Sequence, residues 1–220
     1  MSDFDRAEAE TYDRRIRGLV PGYGLLHRLA GELAAAHLGD RGEVLVCGAG
    51  TGGELIALAA VGSGWRFTAL DPSPVMLAEA ERRVSEAGLG HRVCFVRSRL
   101  EAWEPPRRFD VGVSHLVSHF LPDDGAKGAY FRALGACLKP GALCLTAEFS
   151  ADGGGRFRRA YGGWLRAANA DPEEILSRID GGFFGVDESR LTEIFQRSDL
   201  GTPQLYFAAY DVRGYCAVRD

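Results

Sequence analysis

Residues 44–53 read Val-Leu-Val-Cys-Gly-Ala-Gly-Thr-Gly-Gly, and Asp71 stands 23 positions beyond Gly48. Val44 to Cys47 is the short apolar run that a fully buried strand needs. It feeds a turn dense in glycine. Gly48, Gly50 and Gly52 let backbone approach a ligand that a Cβ would exclude. Glu54 to Val61 continues as helix, and Arg66 to Leu70 is a second strand ending at Asp71. An acid at that point, beside the turn, is placed to accept both hydroxyls of a ribose. Gly48, Gly50 and Gly53 also satisfy the GxGxxG spacing used by dinucleotide enzymes. The plainer alternative is a turn whose glycines serve helix–strand packing alone.

The same alternation extends in both directions. Upstream, Tyr12 to Leu19 and Leu25 to Leu38 read as helices broken at Pro21-Gly22. Downstream, Ser73 can cap a helix that has Pro74 in its first turn and stops at Gly88. Val93 to Val96 and Phe109 to His115 are further strands. Ala129 to Leu138 is a helix closed by Lys139-Pro140-Gly141, and Ala142 to Glu148 is a fifth strand. Gly153-Gly154-Gly155 reads as loop, followed by helices over Arg156–Ala170, Pro172–Arg178 and Asp187–Arg197. Gln204–Tyr210 and Gly214–Arg219 pair as a hairpin across Asp211-Val212-Arg213. The fold expected is therefore α/β: a doubly wound, seven-stranded, mostly parallel sheet closed by an antiparallel C-terminal hairpin, with an N-terminal helical cap. We expect one domain over residues 1–220. It divides into a helical cap (1–40), a cofactor-binding core (41–150), a helical lid (151–186) and a closing helix with its strand pair (187–220).

Composition narrows the function. The 220 residues are 46% hydrophobic and 25% charged, the balance of a globular protein. The net charge of −4 gives no strong nucleic-acid footprint. No apolar run reaches the ~20 residues that span a bilayer, so no membrane partner is expected. The acidic start, Met1 to Asp5, is unlike a secretory signal. Cys47, Cys94, Cys137, Cys144 and Cys216 form no CxxC pair, and each has apolar sequence neighbours. That pattern points to a reducing compartment, and a cytoplasmic location is expected. The absence of a Gly-Lys dipeptide removes a Walker loop, and the absence of GxSxG removes a hydrolase elbow. No tyrosine is followed four residues later by lysine, which removes the proton-transfer pair of compact dehydrogenases.

Val44 to Gly53 and Leu70 to Ala80 (LDPSPVMLAEA) resemble the first two motifs of class I S-adenosylmethionine-dependent methyltransferases. Phe109-Asp110, Lys139-Pro140-Gly141, the helical preface and the terminal strand pair fit the same family. The resemblance implies a Rossmann-like methyltransferase fold, S-adenosylmethionine as cofactor and S-adenosylhomocysteine as product. It implies a small-molecule acceptor and allows a homodimer. Tyr12 to Tyr23 and Leu205 to Val218 are further similar to the carboxy-S-adenosylmethionine synthase branch, which serves wobble-uridine modification in tRNA. By that similarity Tyr23 touches the cofactor, Gly48 and Gly50 hold its methionine part, and Asp71 and Pro72 hold the ribose–adenine part; Gly52 and Met76 are counted as cofactor-binding too. Ser98 and Arg99 lie beside the adenine and His115 near the methionine or the methyl end. Arg178 matches the arginine that grips an extra carboxylate. The family usually has an acid after its third strand, where this chain has Arg97-Ser98-Arg99. A non-catalytic nucleoside-binding domain is the alternative from another functional class.

His115 and His119 follow the fourth strand, at the edge where such sheets bind ligands. Either could be a general base or a packed loop histidine. Their HxxxH spacing brings no third ligand with it, so no metal is expected. His27, His37 and His91 fall in the preface helix or a far-end loop. Tyr12, Arg14, Arg15 and Arg17 either cap the cofactor, bind an anion or face solvent. Arg158, Arg159, Tyr161, Trp164 and Arg166 either grip a substrate or pack the lid.

Overall fold

The computed structural model describes residues 6–151 and 155–220, with side chains from residue 11 onward. Fifteen helices and strands follow one another along these residues. The preface is α1 (Arg6–Leu19) and α2 (Tyr23–Leu38). The core is β1 (Arg41–Cys47), α3 (Gly53–Val61), β2 (Gly64–Leu70), α4 (Pro74–Glu86), β3 (Val93–Val96), β4 (Phe109–His115), α5 (Ala126–Cys137) and β5 (Leu138–Phe149). The lid is α6 (Gly155–Ala167) and α7 (Pro172–Gly182), and α8 (Glu188–Gln196), β6 (Gln204–Ala209) and β7 (Val212–Val218) close the chain. The strands form one seven-stranded sheet in the order β3-β2-β1-β4-β5-β7-β6. Pairings among β1 to β5 are parallel, and β7 runs antiparallel to both β5 and β6. The strand order reverses between β1 and β4, so a crevice opens there at the carboxyl edge.

Most expected elements stand within a turn of their place, and the differences have local causes. Lys139-Pro140-Gly141 does not separate α5 from β5. The strand starts at Leu138, paired with Phe109, and its register shifts before Val111 and Leu143. Pro140 has no N–H for a ladder, and Gly141 takes φ 79°. The hairpin turns on Tyr210-Asp211 rather than on 211–213, because Ala209 pairs directly with Val212 and Tyr210 takes φ 52°. Helix α6 stops short of Ala170, where Asn169 turns left-handed at φ 57°. Gly155 belongs to that helix, while Gly153 and Gly154 of the expected loop, like Met1 to Asp5, lie outside the described residues. Cys94 is exposed, against the apolar setting expected of it, because β3 is an edge strand. None of the described helices is long and apolar enough to cross a membrane.

Packing divides into three cores. One face of the sheet packs α5 and α8 through Phe131, Leu134, Leu191 and Phe195. The other packs α2 and α3 through Ala30, Ala34, Leu55 and Leu58. The third joins preface, lid and hairpin through Val20, Leu26, Phe149, Tyr161, Leu165 and Phe207. Helix α7 has no fully buried residue and only rests Ile175, Leu176 and Ile179 on this third core.

Beneath the β4–α5 connection lies a charged pair. Lys127 is 0% exposed and donates from Nζ to the Ser118 carbonyl (2.5 Å) and to Glu148 Oε2 (3.4 Å). The Ser118 hydroxyl donates to the same carboxylate oxygen. Burial lowers the lysine pKa and raises that of Glu148. Removing one partner strands the other charge in the core. Lys127→Met is expected to cost about 3–5 kcal/mol, and Lys127→Met with Glu148→Leu to recover most of it. Urea unfolding at pH 7 checks this; a single variant as stable as the parent would show that the pair does not hold the connection.

Candidate functional site

The glycine turn is held from two sides. Asp71 Oδ2 accepts the Gly50 N–H at 2.9 Å and Oδ1 accepts the Ser73 N–H at 2.8 Å. Burial raises the Asp71 pKa, and the two N–H groups oppose that. Each oxygen keeps a second lone pair. From the preface, Asp13 accepts the Thr51 hydroxyl (2.5 Å) and pairs with Arg83 of α4 (2.6 Å). Arg83 also donates to the Thr51 carbonyl at 2.9 Å. Helix α1 is thereby clamped over the turn.

The glycines do different work. A Cβ on Gly48 would meet the Val117 side chain at 2.3 Å, and one on Gly52 would meet Ala80 at 3.2 Å. Gly52, expected to touch the cofactor, instead packs the turn against α4. A Cβ on Gly50 would meet only the Gly48 carbonyl at 4.0 Å, and it would project into an open trough. That trough, about 610 Å³, is lined by Gly48, Gly50, Asp71, Pro72, Met76 and His115. It continues at one end past Pro72 to Ser98, Arg99, Leu100 and Glu101, and at the other to Tyr23, His27, Glu54 and Thr51. Gly50, Asp71, Pro72, Met76, Tyr23, Ser98, Arg99 and His115 are therefore brought together as expected from sequence. A cradle that a Cβ would fill, beside a carboxylate with lone pairs to spare, fits a nucleoside with an amino-acid tail.

The tail end holds groups that the sequence did not single out. His115 Nδ1 contacts the Glu54 carboxylate, and its Nε2 shares a hydrogen with Tyr206 Oη at 2.8 Å. His27 stacks on His115 with ring centroids 5.7 Å apart. Burial alone would raise the Glu54 pKa, but the His115 contact outweighs it and the pKa is lowered. Burial pushes His27 down to about 4, so it is neutral. The placement of His27 away from the site is thus corrected. The hint lay in α3, whose sequence GELIALAAV carries a single charge, at Glu54. A buried charge without partners is expensive, so partners had to converge on it. No metal was expected, yet the possible ligand atoms of His27, Glu54 and His115 all lie within 4.8 Å of one another and could hold one.

Beneath the lid is a second cavity of about 700 Å³. It meets the trough where Tyr12, Leu116 and Phe120 line both. Leu116 takes φ 59°, a strained backbone for leucine, at that junction. His119 is 2% exposed, packed by Phe120, Phe149 and Phe183, and its Nδ1 has no hydrogen-bond partner among the described residues. Burial lowers its pKa to about 3, with Lys127 adding to the effect. Tyr161 donates to the Leu19 carbonyl (2.8 Å) and Trp164 to the Gly18 carbonyl (2.7 Å), so these lid aromatics fasten α6 to α1. Arg158 pairs with Asp180 within the lid.

With the geometry in place, comparison with known proteins is direct. The family model described as "Methyltransferase domain" matches residues 44–141. The match covers the stretch from β1 to the start of β5, which holds the glycine turn and Asp71. A carboxy-S-adenosyl-L-methionine synthase of Chromohalobacter salexigens is 29% identical over 147 residues, 66% of this chain and 54% of that protein. The chain thus spans about half the length of that relative. A putative S-adenosyl-L-methionine-dependent methyltransferase from Methanococcus maripaludis superposes with TM-score 0.69 at 18% identity, over 100% of this chain and 95% of the other. A Burkholderia thailandensis 1,6-didemethyltoxoflavin-N1-methyltransferase, solved with its substrate and S-adenosylhomocysteine, superposes with TM-score 0.60 at 21% identity, over 100% and 91%. The first of these two structures is described as S-adenosyl-L-methionine-dependent, and the second holds S-adenosylhomocysteine.

His119 carries a measurable consequence. Its pKa is lowered on folding, so below about 6.5 the unfolded chain binds the extra proton and stability falls with pH. His119→Phe should lose about 2 kcal/mol less than the parent between pH 6.5 and pH 5, at ~1.4 kcal/mol per pH unit. Denaturant unfolding at the two pH values reads this; equal losses would mean the imidazole is protonated in the fold.

Proposed function

We propose that the chain binds S-adenosylmethionine along the trough and transfers its methyl group to a small molecule held beneath the lid. The observation that carries this reading is the meeting of the two cavities at Tyr12, Leu116 and Phe120. Bound there, the cofactor supplies a methyl carbon activated by a sulfonium leaving group. Asp71 would hold the ribose hydroxyls through its spare lone pairs. Ser98, Arg99 and Glu101 would border the adenine, with Glu101 the acid nearest to the one the family usually places after the third strand. Tyr23, His27 and Glu54 would hold the amino-acid tail, where the Glu54 carboxylate offers a counter-charge to its ammonium.

The general-base role weighed for His115 and His119 finds little support in this geometry. Both His115 nitrogens are engaged, by Glu54 and by Tyr206. His119 sits at about 3 and Tyr12 is pushed up to about 12, chiefly by burial, so neither exchanges a proton readily near neutrality. Transfer then rests on alignment of acceptor, methyl carbon and sulfur, worth up to ~7–11 kcal/mol in well-oriented cases. His115 positions the tail pocket. The acceptor's attacking atom brings a free lone pair.

A second reading follows from the carboxy-S-adenosyl-L-methionine synthase relative. Arg178 lines the cavity that opens on the methyl end and could hold a carboxylated cofactor there. Mass spectrometry of the ligand that co-purifies separates the two readings, and turnover to S-adenosylhomocysteine removes a purely binding role.

Calorimetry with S-adenosylhomocysteine tests the cofactor assignment. Asp71→Ala should weaken binding by roughly 2–3 kcal/mol, as for a charge-assisted pair of hydrogen bonds. Gly50→Val should abolish it in a folded protein, since the new side chain would occupy the trough. Parent-like affinity in both variants would sink the assignment.

A further inference from the structure

We infer that the cavity beneath the lid is built for a flat aromatic anion, a substrate class that rests on the methyl-transfer reading above. Its walls are apolar and aromatic. Phe183 lies 5.1 Å from Phe149 and 5.2 Å from Phe120, centroid to centroid, the second pair edge-on. Faces and edges at these separations stack planar rings better than they pack a flexible aliphatic chain. His119 adds a neutral imidazole whose Nδ1 has no partner among the described residues, an unsatisfied polar group in the cavity wall.

Into this wall project two cations, Arg15 from α1 and Arg178 from α7. Neighbouring arginines are spoken for: Arg83 by Asp13, Arg158 by Asp180, and Arg17 lies over the Tyr23 ring at 5.8 Å. Arg15 has no ion pair among the described residues. Arg178 reaches Glu174 only at 3.9 Å, with both side chains more than half exposed, a pair of little strength. Among the described residues no carboxylate lines the cavity. Two guanidinium groups from different helices, facing one apolar cavity that no described carboxylate lines, form a positive rim that selects carboxylates and acidic phenols. The same rim suits an acceptor that brings its own lone pair.

The test uses the whole chain saturated with S-adenosylhomocysteine and three probes: 2-naphthoate, 2-naphthamide and octanoate. Calorimetry or probe fluorescence should show naphthoate binding at least ten-fold tighter than either of the others. Arg15→Gln with Arg178→Gln should erase the preference over the amide while S-adenosylhomocysteine affinity stays at the parent's value. The single variants, each expected to lose three-fold or more, decide the matter if the double variant does not fold. An amide or octanoate that binds as tightly as naphthoate overturns the proposal, as does a preference that survives both substitutions. Failure of S-adenosylhomocysteine to bind counts against the cofactor reading alone, and the probe contrast on the free protein then decides the cavity.

Discussion

One carboxylate sets the geometry of the carboxyl edge. Asp71 accepts the N–H of Gly50 from the β1 turn and that of Ser73 from the start of α4. Two connections that leave the sheet at neighbouring strands are thereby fixed to each other. Gly50 is then held at φ 51° with its Cα toward open space, which is what turns a tight turn into a cradle. The Asp13–Thr51–Arg83 clamp acts on the same turn from the opposite side and lays α1 across it. Because α1 also carries Tyr12 and Arg15, fastening the turn simultaneously places the residues that divide the two cavities.

The cost of this arrangement lies in buried polar groups. Glu54, His27 and His115 are all less than a tenth exposed. Such groups persist only with close partners, and here they partner one another and Tyr206. A site with that much desolvated charge is stiff. Lys127 and Glu148 repeat the solution one loop away, where they fix Ser118 and hence the segment carrying Leu116 and His119. The strained Leu116 is tolerated because its own N–H is bonded to the Ala147 carbonyl at 2.6 Å, on the strand that Glu148 anchors.

The strand–turn–strand–acid order was legible because it depends on local pattern. Buried strands are apolar runs, and the residues ending them fall at one edge whatever the long-range packing. What Gly48, Gly50 and Gly52 each do was not legible, since it turns on Val117 and Ala80, which are far along the chain. His27 was misplaced for the same reason: helical periodicity gives the buried face of α2 but not what that face meets. Its contact with His115 spans the preface and the fourth strand. The histidine chemistry was misjudged because position at the strand end says nothing of burial, and burial decides how readily an imidazole takes a proton.

The lid shows how little is needed to enclose a cavity. Helix α7 contributes no fully buried residue, and α6 is fastened to the preface by two side-chain bonds to the free carbonyls Gly18 and Leu19 at the end of α1. Those carbonyls lack intrahelical partners in any case, so the lid satisfies an existing deficit while Tyr161 and Leu165 of α6 bury themselves in the third core. On the proposed reading, specificity comes from a few side chains on the lid, while cofactor geometry comes from the sheet edge. The two meet at Tyr12, Leu116 and Phe120. On that reading, residues in the lid can change which molecule is accepted without disturbing the turn, the acid or the tail pocket that the sheet holds in place.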